Sequence, residues 1–237
     1  HAGNIGIAVA AADATEAEGV EGDLGTQKFK CSRFAYADDT PPAQEAAEDS
    51  GNAAESIRLL VCAGNNIADV VKFAAGEKGV PWILCPSGPD ILPAAEPFAV
   101  LGWGALAGYR RADAPAAIAA DRARMERASG REKAAAYASL YAERLHCAEY
   151  ECENLLFGRG NKSTTALADV CASALKEGEN LAEYSLKAAI ERQKSNLKGE
   201  GSARRFARII SAVSDEGRSV RENCFVCERV STERYCL

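Results

Sequence analysis

Nine cysteines, at positions 31, 62, 85, 147, 152, 171, 224, 227 and 236, constrain this 237-residue chain more than any other feature. That density is common in secreted chains stapled by disulfides and uncommon where thiols are kept reduced. Disulfide pairing is therefore the expected state, with buried free thiols and thioether-held cofactors as alternatives. An odd count leaves one cysteine over. No apolar targeting segment opens the sequence, so a secretory leader would already have been removed.

Composition points to helix. By count, 47 residues are Ala and 23 are Glu, against two His and one Met. Apolar residues make up 47%, enough to bury a core. Residues 1–112 carry 15 acidic and 8 basic groups, a net of −7, and residues 113–237 carry 19 and 20, a net of +1. The expected boundary lies near Arg111–Pro115, between an acidic lobe (1–112) and a charge-balanced helical lobe (113–237). A pI of about 5.2 argues against a nucleic-acid partner. The uncharged stretch Pro97–Tyr109 is too short to span a bilayer, so any anchor would lie outside this chain.

Along the first lobe, residues 1–26 read as a loose arm with one short helix at Ala10–Glu18. Thr40-Pro41-Pro42 stops one element and starts a helix that runs to Gly64, carrying Ala54, Ile57, Leu60 and Val61. Gly64-Asn65-Asn66 interrupts it, and a second helix spans Ile67 to Ala75. Residues 79–104 hold Pro81, Pro86, Pro89, Pro93 and Pro97, which exclude regular helix. With Trp82 and Trp103, this segment reads as an irregular wrap between two lobes.

The second lobe reads as three long helices in an up-down-up bundle. The first runs from about Pro115 to Leu156, with a weak point at Ser129-Gly130 and a stripe of Tyr137, Tyr141, Leu145, Ala148, Cys152 and Leu155. The second carries Leu167, Val170, Ala174, Leu181, Ser185, Ala188 and Ile190. The third starts after Ser202 with Phe206, Ile210, Val213 and Val220. The expected fold class is thus mainly α: a disulfide-stapled three-helix bundle plus a smaller irregular helical lobe. Counting from the turns places Cys152 level with Cys171 and Cys147 level with Cys224, with Cys227–Cys236 tying the tail. Cys62–Cys85 is the remaining expected pair, and Cys31 is odd.

Catalytic patterns are scarce. Cys224-Phe-Val-Cys227 has dithiol or half-zinc spacing, and Cys236 with His146 could complete a zinc site on paper. No second C-x-x-C is present, and the expected helix before Cys224 argues against a thioredoxin-like motif. Gly102–Gly108 lacks the Lys-Ser/Thr of a phosphate loop, and no G-x-S-x-G or H-E-x-x-H occurs. Arg204, Arg205, Arg208 and Arg218 form a basic face expected to pair with Glu179, Glu183 and Glu191. Asn161-Lys-Ser163 is a glycosylation sequon at a helix–helix turn.

Residues 113–225, Ala- and Glu-rich long helices with regularly placed cysteines, resemble the helical ectodomains of trypanosomatid surface glycoproteins. The resemblance implies a coat, receptor or antigen domain. The expected function is a non-enzymatic secreted or cell-surface ectodomain that binds a protein or peptide. It needs no catalytic residue, cofactor or metal. The binding surface is expected in an inter-lobe cleft lined by Trp82, Phe98, Trp103 and Tyr109, since aromatics concentrate at binding hot spots. Two alternatives are an organelle subunit with a covalently held cofactor and a thiol oxidoreductase using Cys224 and Cys227.

Overall fold

The computed structural model describes residues 6–11, 14–26, 31–35, 57–101, 108–158, 163–195, 197 and 201–206. The described residues of His1–Gly88, Pro97–Gly102 and Gly108–Met125 form one compact unit, and those of Pro89–Glu96 and Glu126–Leu237 form another.

The first unit is α/β. Strand β1 (Gly6–Ala11), helix α1 (Ala14–Thr26) and strand β2 (Cys31–Ala35) make the first crossover, and β3 (Ile57–Ala63), α2 (Ala68–Lys78) and β4 (Trp82–Cys85) make the second. With β7 (Ala117–Ile118), the described strands form a parallel sheet of order β2-β1-β3-β4-β7. A parallel sheet covered on both faces needs strands apolar on both faces, which is what Ile57-Arg-Leu-Leu-Val-Cys-Ala supplies. Ile7, Val9, Ala11, Val61 and Ala63 pack with Ala17 of α1, beside the half-buried Val20, Leu24 and Cys85. The alternate residues Ala8, Ala10, Leu60, Cys62, Trp82 and Leu84 are buried as well. A separate antiparallel pair joins β5 (Phe98–Leu101) to β6 (Gly108–Arg111). The short helix α3 (Arg122–Glu126) comes next in the chain.

The second unit is helical among its described residues. Helix α4 (Gly130–Phe157) opens on a capping box: the Ser129 Oγ accepts the Glu132 amide at 3.2 Å, and the Glu132 carboxylate accepts the Ser129 amide at 2.7 Å. It closes at left-handed Gly158. Helix α5 (Ser163–Glu177) ends at Gly178, φ 68°, and α6 (Leu181–Lys194) starts from Asn180, φ 54°. Their core holds Ala136, Leu140 and Cys147 of α4, Leu167, Cys171 and Ala174 of α5, Leu181 and Ala188 of α6, and Leu92 and Leu197.

The mainly α, disulfide-stapled reading is therefore corrected. The Ile57–Val61 stretch is a buried strand, because a short apolar run is as compatible with a parallel strand as with a helix. The segment expected as an irregular wrap contains β4, a 3₁₀ turn at Leu92–Ala95 and β5. The expected second helix breaks at Gly178-Glu179-Asn180. On α4 the expected stripe is rotated: Ala148, Cys152 and Leu155 are exposed, and Ala136, Leu140, Glu143 and Cys147 are buried. Small side chains supply much of the packed face, so the positions of the large ones do not mark it.

Cys62, Cys85, Cys147, Cys152 and Cys171 form no disulfide. Cys62 pairs in register with Leu84 and Cys85 with Ala63, so the pleat sends their side chains to opposite faces of the sheet. Cys152 fails to meet Cys171 because matching height along two helices does not fix the angle about their axes. It lies five residues beyond Cys147, about 140° round the helix, and Cys147 is the residue that shares a core with Cys171. Cys31 lies in β2, and the bridges placed on Cys224, Cys227 and Cys236 fall outside the described residues. Burial, with the charge of Glu143, pushes the Cys147 thiol up to about 12, and the same causes raise Cys171. Maleimide labelling with peptide mapping should therefore modify Cys152 in the native protein and spare Cys62, Cys147 and Cys171 until the chain is unfolded. Native labelling of Cys147 would contradict this packing.

Candidate functional site

In the sheet order β2-β1-β3-β4, the chain steps outward from β1 in one direction to β2 and in the other to β3. The carboxyl ends of β1 and β3 flank this reversal, the place where open parallel sheets bind ligands. There β3 runs into Gly64-Asn65-Asn66 and then the start of α2. Gly64 sits at φ 95°, a conformation that side chains with a Cβ avoid. Its amide donates to the Cys85 carbonyl at 2.9 Å, and its carbonyl accepts the Cys62 thiol at 3.2 Å. Asn65 Nδ2 donates to the Gly88 carbonyl at 3.1 Å, tying the turn after β3 to the loop after β4. The N-cap of α2 is Ile67, which offers its amides no side-chain acceptor. The result is a fixed turn leading into the positive end of an 11-residue helix, an arrangement suited to a phosphate group.

Behind this turn, Lys72 of α2 is fully buried. Its Nζ donates to the Phe98 carbonyl at 2.9 Å and lies 3.5 Å from Asp69 Oδ1, one turn earlier on the same helix. The lysine thereby fixes Asp69 and joins α2 to β5.

The helical unit holds a second polar centre, buried rather than open. Glu143 of α4, 2% exposed, lies 2.9 Å from Arg192 Nε of α6 and 3.6 Å from Arg204 Nη2 in the helical segment 202–206. Arg204 is also paired with Glu96. His146 Nδ1 stands 3.7 Å from Glu143 Oε1. Gly201 packs so closely on this ring that an added Cβ would come 2.8 Å from the His146 Cβ. Burial by itself would raise the Glu143 carboxyl. His146, Arg192 and Arg204 outweigh it and hold the group at about 2.

The aromatic residues expected to line one cleft are distributed differently. Phe98 and Tyr109 meet edge to face at 5.2 Å on the β5–β6 pair, with Phe98 buried and Tyr109 44% exposed. Trp82 is a buried residue of β4 whose Nε1 donates to the Asp113 carbonyl at 3.0 Å. It borders a cavity of about 350 Å3 with Lys72, Gly79, Pro81, Asp113 and Ala116, at the amino end of β4 and away from the Gly64 turn. Trp103 and the sequon at Asn161 lie outside the described residues. Of the basic face expected on the third helix, Arg204 is buried against Glu96 and Glu143, a correction at that residue, and Arg208 and Arg218 lie outside the described residues, while Glu183 pairs with Lys187 and Glu191 with Lys194. Among the described residues no helix is long and apolar enough to cross a membrane. Sequence reasoning missed the Gly64 turn by taking it as a break between helices. An apolar run ending in glycine and leading into an Ala/Val-rich helix was the available signal for strand–turn–helix.

No family model and no curated protein matches this chain. Solved structures do. The chain has the fold of a glycerol dehydrogenase from Schizosaccharomyces pombe, with TM-score 0.76 and 15% identity over 98% of this chain and 66% of that one. An iron-containing alcohol dehydrogenase from Thermotoga maritima matches with TM-score 0.70 and 14% identity, over 94% of this chain and 69% of that one. A sulfoacetaldehyde reductase from Bifidobacterium kashiwanohense, solved with NAD+, matches with TM-score 0.67 and 13% identity, over 97% and 68%. The chain spans about two thirds of the length of these proteins. The expectation of a non-enzymatic surface-antigen ectodomain is corrected by this likeness, since the chain shares its fold with solved dehydrogenases and a reductase.

Proposed function

We propose that this chain is a nicotinamide-dinucleotide-dependent oxidoreductase acting on a small alcohol or carbonyl compound. The observation that carries the reading is the Gly64-Asn65-Asn66 turn and the start of α2 at the switch point of a parallel sheet, in a fold shared with dehydrogenases and with a reductase solved with NAD+. The residues fit a dinucleotide. Gly64 keeps the backbone open at φ 95°, and the amides that begin α2 suit a pyrophosphate. Asn65 and Gly88 hold the two loops together behind it. When bound, the nicotinamide supplies the hydride donor or acceptor. The chain's own part is to position and shield it, and Lys72 holds Asp69 and β5 in place for that.

Titration with NADH and NADPH, monitored by dinucleotide fluorescence, tests the reading. Saturable binding is expected, and Gly64→Val should weaken it at least tenfold, because the side chain both fills the approach and strains a positive φ by about 1–2 kcal/mol. Failure of both nucleotides to bind at millimolar concentration would overturn the assignment.

A further inference from the structure

The iron named for one of the fold relatives raises the question of whether this chain can hold such an ion, and the described donors of the helical unit do not fit one. A divalent metal site needs several carboxylate, imidazole or thiolate donors turned toward one point. Among the described residues no group of three such side chains is arranged to hold a metal. The carboxylates of the buried centre, Glu96 and Glu143, are already engaged. Glu143 Oε1 faces Arg192 Nε at 2.9 Å, Glu143 Oε2 faces Arg204 Nη2 at 3.6 Å, and Glu96 is paired with the other arm of Arg204.

We infer that the buried centre Glu96–Glu143–Arg192–Arg204, with His146 beside it, is a self-neutralised ion network that takes no divalent metal, so that the helical unit is held by two guanidiniums. Its two carboxylates and two guanidiniums sum to zero charge. Guanidiniums cannot release their protons to make room for a cation. Nor are these two free to swing aside. Arg192 Nη1 donates to the Leu197 carbonyl at 2.9 Å and to Ser195 Oγ at 3.4 Å, and Arg204 Nη2 reaches the Ser139 carbonyl at 3.5 Å. An ion placed between the carboxylates would meet two fixed positive charges in a space from which water is largely excluded. This metal-free centre rests on the proposed function only in specifying the kind of dehydrogenase, one in which the Glu96–Glu143–Arg192–Arg204 centre carries no metal. The network itself stands on its own geometry.

The chain has two histidines, His1 and His146, which makes the test direct. Cobalt(II) is added to the wild-type 237-residue chain in equimolar amount, and the imidazole ring resonances are observed by NMR. The expected result is that the His146 ring signals keep their position and width with cobalt, as they do with EDTA. Cobalt held elsewhere in the chain would leave His146 unchanged and agrees with the inference. A large paramagnetic shift or loss of the His146 signals, saturating at one ion per chain, overturns it. Because the readout is independent of nucleotide, failure of NADH to bind would defeat the functional proposal and leave this result standing.

Discussion

Replacing Glu143 with Ala is expected to lower the unfolding free energy by about 3–5 kcal/mol, because it strands two buried guanidiniums without their common partner. Arg192 is 2% exposed and Arg204 8%, so neither can recover water where it stands. Urea denaturation monitored by circular dichroism would measure the loss. Arg192→Met with Glu143→Gln, which removes charge from both sides, should cost less than Glu143→Ala alone. The same carboxylate sets an acid limit. In the folded chain it is held at about 2, below the ordinary value of 4.5. The unfolded chain therefore binds this proton more readily, so the stabilisation is full above about pH 4.5 and is lost as pH falls toward 2. In Glu143→Gln that part of the acid sensitivity should vanish, leaving a flatter stability curve between those limits. An unchanged curve would show that Glu143 does not carry it.

The second large effect is expected at Trp82. Trp82→Ala should lower stability by about 3–5 kcal/mol, as for other fully buried aromatic residues cut back to the β-carbon. The side chain is 2% exposed on β4, which lies between β3 and β7, and its indole N–H satisfies the Asp113 carbonyl at 3.0 Å. Removing it takes away packing and leaves that acceptor without its donor. Trp82→Phe keeps most of the volume and should cost much less, chiefly the hydrogen bond of about 1 kcal/mol. Equal losses in the two variants would mean that the indole N–H, and not the bulk of the ring, matters most.

The helices of the C-terminal half were legible in the sequence because what makes them is local. Ser129 and Glu132 form a capping box three residues apart, glycines stand where α4 and α5 stop, and alanine favours helix wherever it is placed. Which face of α4 is buried was not local. It depends on Arg192 and Arg204, 49 and 61 residues further along from Glu143, which make a glutamate a core residue while Leu155 faces solvent. The sheet was hidden for a similar reason. Ile57–Ala63 is apolar on both faces, so its period distinguishes neither strand nor helix, and only pairing with β1 and β4 makes it a strand. The cysteines read as staples because their number resembles that of secreted domains, whereas bridging requires α-carbons within about 7 Å and converging side chains, a condition the pleat of β3 and β4 and the angle about α4 decide. The sequence by itself determined the capping box that opens α4 and the glycines that close α4 and α5, since capping acts within a turn. The helix expected from Pro115 instead begins at Gly130, and the one expected to carry Leu167 to Ile190 is divided in two. Tertiary structure alone decided the parallel sheet, the Gly64 turn at its switch point and the closed charge centre, since each exists only where segments far apart in the chain satisfy one another's backbone or charge.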